Sequence, residues 1–391
     1  MEKERKMEGE RRVEATRRWV IAVGFWVQGF RLFPWLGVNF FLKDGMGVAA
    51  SSLQILQASA NLPMVAKPLL GLLSDAVPIR GHRRLPYVAI GALLQAISWL
   101  AIALWPAISL PVLTIFLLLS NFGASICEVA NDAIKLGSKQ PCPQGQFCTT
   151  VAIPESSLQL PKADTNLSAV SSVRKQIKEL SYALCMPEIF WSVIWFSLSY
   201  AAIPFLLGTM FFYQTEVLRL DSSVIGLSKV FGQVTLLAWS VAYNKYFKTT
   251  PAQKVLSVLQ FLTALVMLSD VLFVQGIYRN FGIPDSMYTI VFSGLLEGLM
   301  LFKVLPFSVL VAKLCPSGCE GSLMAFVMSA LALATIISGY LGVALAEFMG
   351  VSGGDFSALP TCLLIEAACT MLPLFFSSLI KERREKEKKE E

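Results

Sequence analysis

Ten stretches of this chain are apolar for long enough to cross a bilayer, and no other feature limits its fold as strongly. They run over about 18–42, 53–73, 86–105, 109–136, 189–213, 222–246, 253–275, 285–311, 320–346 and 357–380. A spanning helix needs about 20 mostly apolar residues. Backbone polar groups find no water in hydrocarbon, so runs of this length are read as helices. Composition agrees: of 391 residues, 55% are hydrophobic and 15% charged, against the ~25% charged residues of a soluble protein. The expected fold class is therefore all-α, a polytopic membrane protein.

The positions of the cations predict the topology. With both ends in the cytosol, the inside segments hold 26 Lys and Arg, whereas the outside loops hold only Lys43, Arg219 and Arg279. Shifting the assignment by one helix would invert this bias, so both termini are expected inside. The first 17 residues alternate charge sign and fit neither a signal nor a transit peptide; they read as a cytosolic tail, as do residues 381–391. Residues 138–187 contain no apolar run and read as a cytosolic linker with one amphipathic helix near its end. Helix bundles are expected over 18–137 (four spans) and 188–380 (six spans). Which membrane holds the chain, and its oligomeric state, are left open by the sequence.

Several chemistries are unsupported. Cys315 and Cys319 bracket a short loop without a second pair or a histidine, so neither zinc nor another metal is expected. His82 is the one histidine, and no nucleophile elbow or glycine-rich phosphate loop accompanies it. No enzyme activity, cofactor or nucleic-acid partner is expected.

The informative residues are the ionisable ones inside the spans. A charge at mid-bilayer costs roughly 3 kcal/mol on insertion scales, so such residues face a cavity or a partner. Arg31, Lys67, Lys229 and Lys303 are the cations; Glu128, Asp132, Asp270, Glu297 and Glu366 are the acids. At about 100° per residue, Asn121, Ser125, Glu128 and Asp132 fall within roughly 60° on the fourth segment. Gln28, Arg31, Trp35 and Asn39 share one face of the first segment, and Lys229, Gln233 and Ser240 one face of the sixth. Such stripes suit helices bordering a water-filled path; the alternative is interhelical hydrogen bonding that holds a bundle together. Pro63 and Pro68 flank Lys67, so helical phase does not extend through the second segment. Lys67 has three open partners: a substrate anion, Glu128 or Asp132. After it, Gly71, Asp75, Arg83 and Arg84 form a G-x-x-x-D pattern followed by basic residues, which suits a cytosolic gate built on a breakable ion pair.

Long blocks of the chain resemble a known family. "WVQGFRLFPWLGVNFFLKD", "MVAKPLLGLLSDAVPIRGHRRLPY", "SNFGASICEVANDA", "DSSVIGLSKVFGQV" and "LPFSVLVAKLCPSGCEGSLMAFVMSALALA" are similar to the plant folate-biopterin transporters of the major facilitator superfamily. The resemblance implies a two-bundle fold and a secondary-active, gradient- or proton-coupled carrier whose small-molecule substrate is a folate or pterin. A flat pterin ring wants aromatic stacking, amides or carboxylates at its edge, and a cation for an acidic tail. Gln28, Arg31, Trp35, Lys67, Glu128, Asp132, Lys229 and Gln233 offer that set, and Glu128, Asp132 and Glu297 are the expected proton carriers. In one respect the chain departs from the family pattern of twelve helices. After "EVANDAIK", "LGSKQPCPQGQFCTTVAI" leads directly into the linker, so the family's fifth and sixth helices are expected to be missing and the N-terminal bundle truncated.

Overall fold

The computed structural model describes residues 32–77, 79, 85–105, 107–136, 169–247, 250–315, 320–351 and 354–380. Every regular element among them is helical: α1 (Leu32–Phe40), α2 (Ala50–Ala60), α3 (Leu62–Val65), α4 (Lys67–Ala76), α5 (Leu85–Leu104), α6 (Leu110–Leu136), α7 (Ala169–Cys185), α8 (Pro187–Ala201), α9 (Leu207–Phe212), α10 (Ser222–Ala242), α11 (Ala252–Val274), α12 (Asp285–Leu314), α13 (Glu320–Phe348) and α14 (Leu359–Phe375). Six of these, α5, α6, α10 with its continuation to Phe247, α11, α12 and α13, are long and apolar enough to cross a membrane.

The remaining expected spans are bent, short or only partly described. The segment expected over 53–73 is cut into α2, α3 and α4. Pro63 and Pro68 sit in the first turns of the two later pieces, where a missing N–H is tolerated but the preceding turn loses its hydrogen bond. The segment expected over 189–213 is interrupted between α8 and α9, around Pro204. α7 meets α8 at an 83° bend. The last span, α14, is 17 residues long. The first is described from Leu32 onward.

The chain divides into two compact units. One comprises the described residues of 1–35, 60–181 and 317–329. Here α5 and α6 touch backbone to backbone. A Cβ on Gly91 would lie 2.5 Å from the Gly123 carbonyl oxygen, and one on Gly123 2.6 Å from that of Gly91. Small residues permit this approach where lipid supplies no hydrophobic drive between helices. Tyr87, Val88, Ile126, Cys127 and Ala130 form the buried cluster beside the crossing.

The other unit comprises the described residues of 36–59, 182–316 and 330–391. α10 and α12 cross in the same manner: a Cβ on Gly294 would stand 2.7 Å from the Ser228 carbonyl oxygen. α11 packs along α14, and the indole Nε1 of Trp195 donates to the Pro373 carbonyl at 2.8 Å. An aromatic stack of Phe273, Tyr288 and Phe292, with successive centroids 4.4 Å apart, closes one end. Next to it the loop 276–282 is bounded by Gly276 and Gly282, both with φ near +70°. Arg279 clamps Asp285 with two hydrogen bonds of 2.9 and 2.7 Å. The Tyr278 hydroxyl donates to the same carboxylate at 2.6 Å; burial and that carboxylate push the phenol up to about 12.

Candidate functional site

In the first unit the site grows from the broken segment. Each interruption leaves carbonyls without a helical donor, and a bare carbonyl inside a membrane protein is costly. The polar face of α6 supplies the donors. Asn121 Nδ2 donates to the Ala60 carbonyl at 2.6 Å, and Ser125 Oγ to the Pro63 carbonyl at 3.1 Å. Ser329, more than two turns into α13, donates to the Val65 carbonyl at 2.6 Å. Asn121 and Ser125 are fully buried. One turn along α6 the stripe changes character: Glu128 Oε2 stands 2.6 Å from Lys67 Nζ. The lysine side chain is 7% exposed and the glutamate 19%. Of the partners open to Lys67, the structure holds Glu128. Asp132, a turn further, is half-buried. Trp35 packs edge-on against Trp99, centroids 6.2 Å apart. Gly71 is buried, and a Cβ there would meet Val129 of α6 at 3.5 Å. The side chains of Asp75, Arg83 and Arg84, and all of Gln28 and Arg31, lie outside the described residues.

The second unit contains a comparable pair. Lys229 of α10 and Glu297 of α12 meet at 2.7 Å, with side chains 37% and 19% exposed. Lys229 is roughly 10 Å along its span from Ser222, at 1.5 Å per residue. At that depth the pairing with Glu297 offsets part of the roughly 3 kcal/mol that an unpaired charge would cost in lipid. Gln233, one turn on from Lys229, is half-buried. Asn39 of the first stripe is engaged by Gln57, whose Nε2 donates to its Oδ1 at 2.6 Å.

Sequence reasoning missed Gln54. It is 3% exposed and repairs the α8–α9 interruption as Asn121 and Ser125 repair the other. Its Nε2 donates to Phe205 and Gly339 carbonyls at 2.6 and 2.8 Å, and its Oε1 accepts from the Gly208 N–H at 2.8 Å. The Ser338 hydroxyl caps the Ile203 carbonyl beside it. A Cβ on Gly342 would collide with the Phe205 carbonyl, so α13 reaches this interruption only through a glycine. The signal available in the sequence was a glutamine in an apolar run, next to a proline-broken helix elsewhere.

Comparison with known proteins places these features. The BT1 family matches residues 28–145 and 142–391. The chain is 48% identical to "Probable folate-biopterin transporter 7" of Arabidopsis thaliana, covering 95% of each. It is 25% identical to the "Folate-biopterin transporter" of Synechocystis, covering 93% of this chain and 83% of that one. Among solved structures, a D-xylose-proton symporter superposes with a TM-score of 0.60 at 11% identity, over 95% of this chain and 97% of the other. The nucleoside transporter NupG gives a TM-score of 0.54 at 13% identity, over 95% of this chain and 100% of the other. These likenesses show the fold, the major-facilitator-like one expected. The alignment to the Arabidopsis relative runs over 424 residues, more than the 391 of this chain, so the relative holds residues that this chain lacks. The family match divides at 142–145, inside the stretch where two helices are expected to be missing. The chain belongs to the BT1 family of folate-biopterin transporters, as an integral, multi-pass, all-helical membrane protein.

Proposed function

We propose that this protein is a secondary-active carrier of folates or pterins, driven by a proton gradient, with both termini in the cytosol. The observation that carries the reading is the presence of two partly exposed lysine–glutamate pairs, Lys67–Glu128 and Lys229–Glu297, on largely apolar helices. A lysine that can exchange its glutamate for a substrate carboxylate recognises the acidic tail of a folate by simple charge replacement. Trp35 supplies an aromatic face, and Gln233 and Asp132 supply donors and acceptors for a ring edge. Gly71, Asp75, Arg83 and Arg84 fit a cytosolic gate. Relatives named for folate and biopterin transport support the substrate class.

The test is uptake of labelled folic acid and of a labelled pterin by a folate-auxotrophic host expressing the chain, at two external pH values. Uptake that is saturable and faster at the lower external pH is expected. Uptake equal to the empty host at both values overturns the carrier reading.

A second reading, a transport-impaired form of a twelve-helix carrier, is favoured by the break in the family match at 142–145. Under it, the chain inserts and folds but moves substrate only after the two helices are restored.

A further inference from the structure

The second unit holds a cavity of about 140 Å³ that is lined by neither member of the Lys229–Glu297 pair. Trp239, Tyr243 and Phe247, on α10 and its continuation, line one side; Lys254 and Val258 of α11 line another, and Phe302 of α12 completes it. The wall is preformed. Phe302 and Tyr243 are buried, and the Trp239 and Tyr243 rings stand 6.0 and 6.1 Å from that of Phe302. A site for a whole small molecule takes roughly 300–1,000 Å³, so this space suits a segment of a chain. It also runs lengthwise: Lys254 and Leu262 both line it, roughly 12 Å apart along α11. One end therefore lies where α10 passes over into α11, and the other reaches into the spans. Val258 is 57% exposed and begins a stripe with Phe261, Leu265, Leu268 and Leu272, all exposed and within roughly 80° of arc. On a multi-pass protein such an apolar stripe faces lipid tails, so the cavity opens sideways into the bilayer.

The outer end of the cavity is basic. Residues 245–254 contain Lys245, Lys248 and Lys254 and no acid. Lys245 and Lys254 are exposed, and neither pairs with a carboxylate among the described residues. Lys245 lies 5.1 Å over the Tyr246 ring, whereas Lys254 lines the cavity itself. A cation at the mouth of an apolar slot between spans matches an anionic headgroup with an acyl chain below it. A zwitterionic headgroup carries its own cation and gains less there. We propose that this slot binds one anionic phospholipid, with an acyl chain lodged among α10, α11 and α12 and its phosphate at Lys254. Lys245 adds attraction at the same surface. The chain, resting on Phe302, ties α12 to α10 and α11. The topology proposed above puts residues 245–254 on the cytosolic side, whose leaflet holds the anionic lipids. The chemistry of the slot depends neither on that sidedness nor on which solute the protein carries.

The experiment is native mass spectrometry of the purified full-length protein, released from nanodiscs of phosphatidylglycerol and phosphatidylcholine with matched acyl chains. Retention of one phosphatidylglycerol per chain, in preference to phosphatidylcholine, is expected. Lys254→Gln, at an exposed position, is expected to lower that retention about fivefold, the weight of one lysine at an anionic membrane surface. A phosphatidylglycerol carrying a photoreactive diazirine in its acyl chain should label the unmodified protein within 239–262 or at Phe302, a readout that needs no variant to fold. Equal retention of the two lipids overturns the proposal, as does retention untouched by Lys254→Gln. Labelling confined to peptides outside those segments overturns it too, because the acyl chain then lies elsewhere. Displacement of the lipid by inorganic phosphate alone also overturns it, and assigns Lys254 to a free anion.

Discussion

Among single residues, Lys67 ties recognition to stability. Its ammonium and the Glu128 carboxylate are 2.6 Å apart, and truncating one leaves the other facing an apolar interior. Lys67→Met is therefore expected to lower stability by on the order of 3 kcal/mol, at the low end for a buried pair because Glu128 keeps some exposure. Thermal unfolding in detergent measures this, and Lys67→Met with Glu128→Gln should recover part of the loss. Asp132 tests function instead. Asp132→Asn keeps the shape and removes the charge, so folate uptake is expected to drop while surface abundance holds; unchanged uptake removes Asp132 from the substrate path. The sequence made both acids visible through their helical phase. It could not choose the partner of Lys67, because two flanking prolines hide the direction in which that side chain leaves the backbone. The choice required the actual turn at Ala66, with φ −80° and ψ 2°.

The helices behave according to how their carbonyls are satisfied. The second segment is a continuous apolar run in sequence and three pieces in space, and the α6 stripe is what makes the breaks tolerable. Half of that stripe, Asn121 and Ser125, serves as internal hydrogen-bonding glue; the other half, Glu128 and Asp132, carries the charge. A stripe within a 60° arc reads identically in either case, so its direction was legible and its division of labour was not. Asn121→Ala leaves the Ala60 carbonyl bare and is expected to cost about 1–3 kcal/mol, the penalty for an unsatisfied buried acceptor. Replacing Gln54 with leucine strips donors from two carbonyls and an acceptor from one N–H, so its loss in thermal stability should exceed that of Asn121→Ala. The glycine crossings were also illegible, since Gly91 and Gly123 look ordinary in apolar runs until α5 and α6 meet. Gly91→Leu has no room beside the Gly123 carbonyl and should reduce folded yield sharply, read by fluorescence-detected size exclusion.

For the whole molecule, the question is what the two helices expected to be missing would do. Two antiparallel spans can be removed without changing which side any later loop faces, and the six described long spans remain apolar enough to cross a membrane. Insertion therefore places no demand on such a pair; transport is where its absence is expected to be felt. In this fold each half is built from repeats that move against one another around a midplane site, and a half short of two helices has less wall to close around a solute. The apolar runs made the helical class legible; a gap in a family pattern is visible only through the residues on either side of it. Inserting the matching segment of the Arabidopsis relative between Gly137 and Pro154 is expected to leave membrane abundance unchanged and to raise folate uptake per molecule. Because an added pair of antiparallel spans enters and leaves on the same side, α8 to α14 keep their orientation, and any gain reports the added helices rather than a rearranged topology. Equal uptake before and after insertion would show that the shorter chain is already a complete carrier.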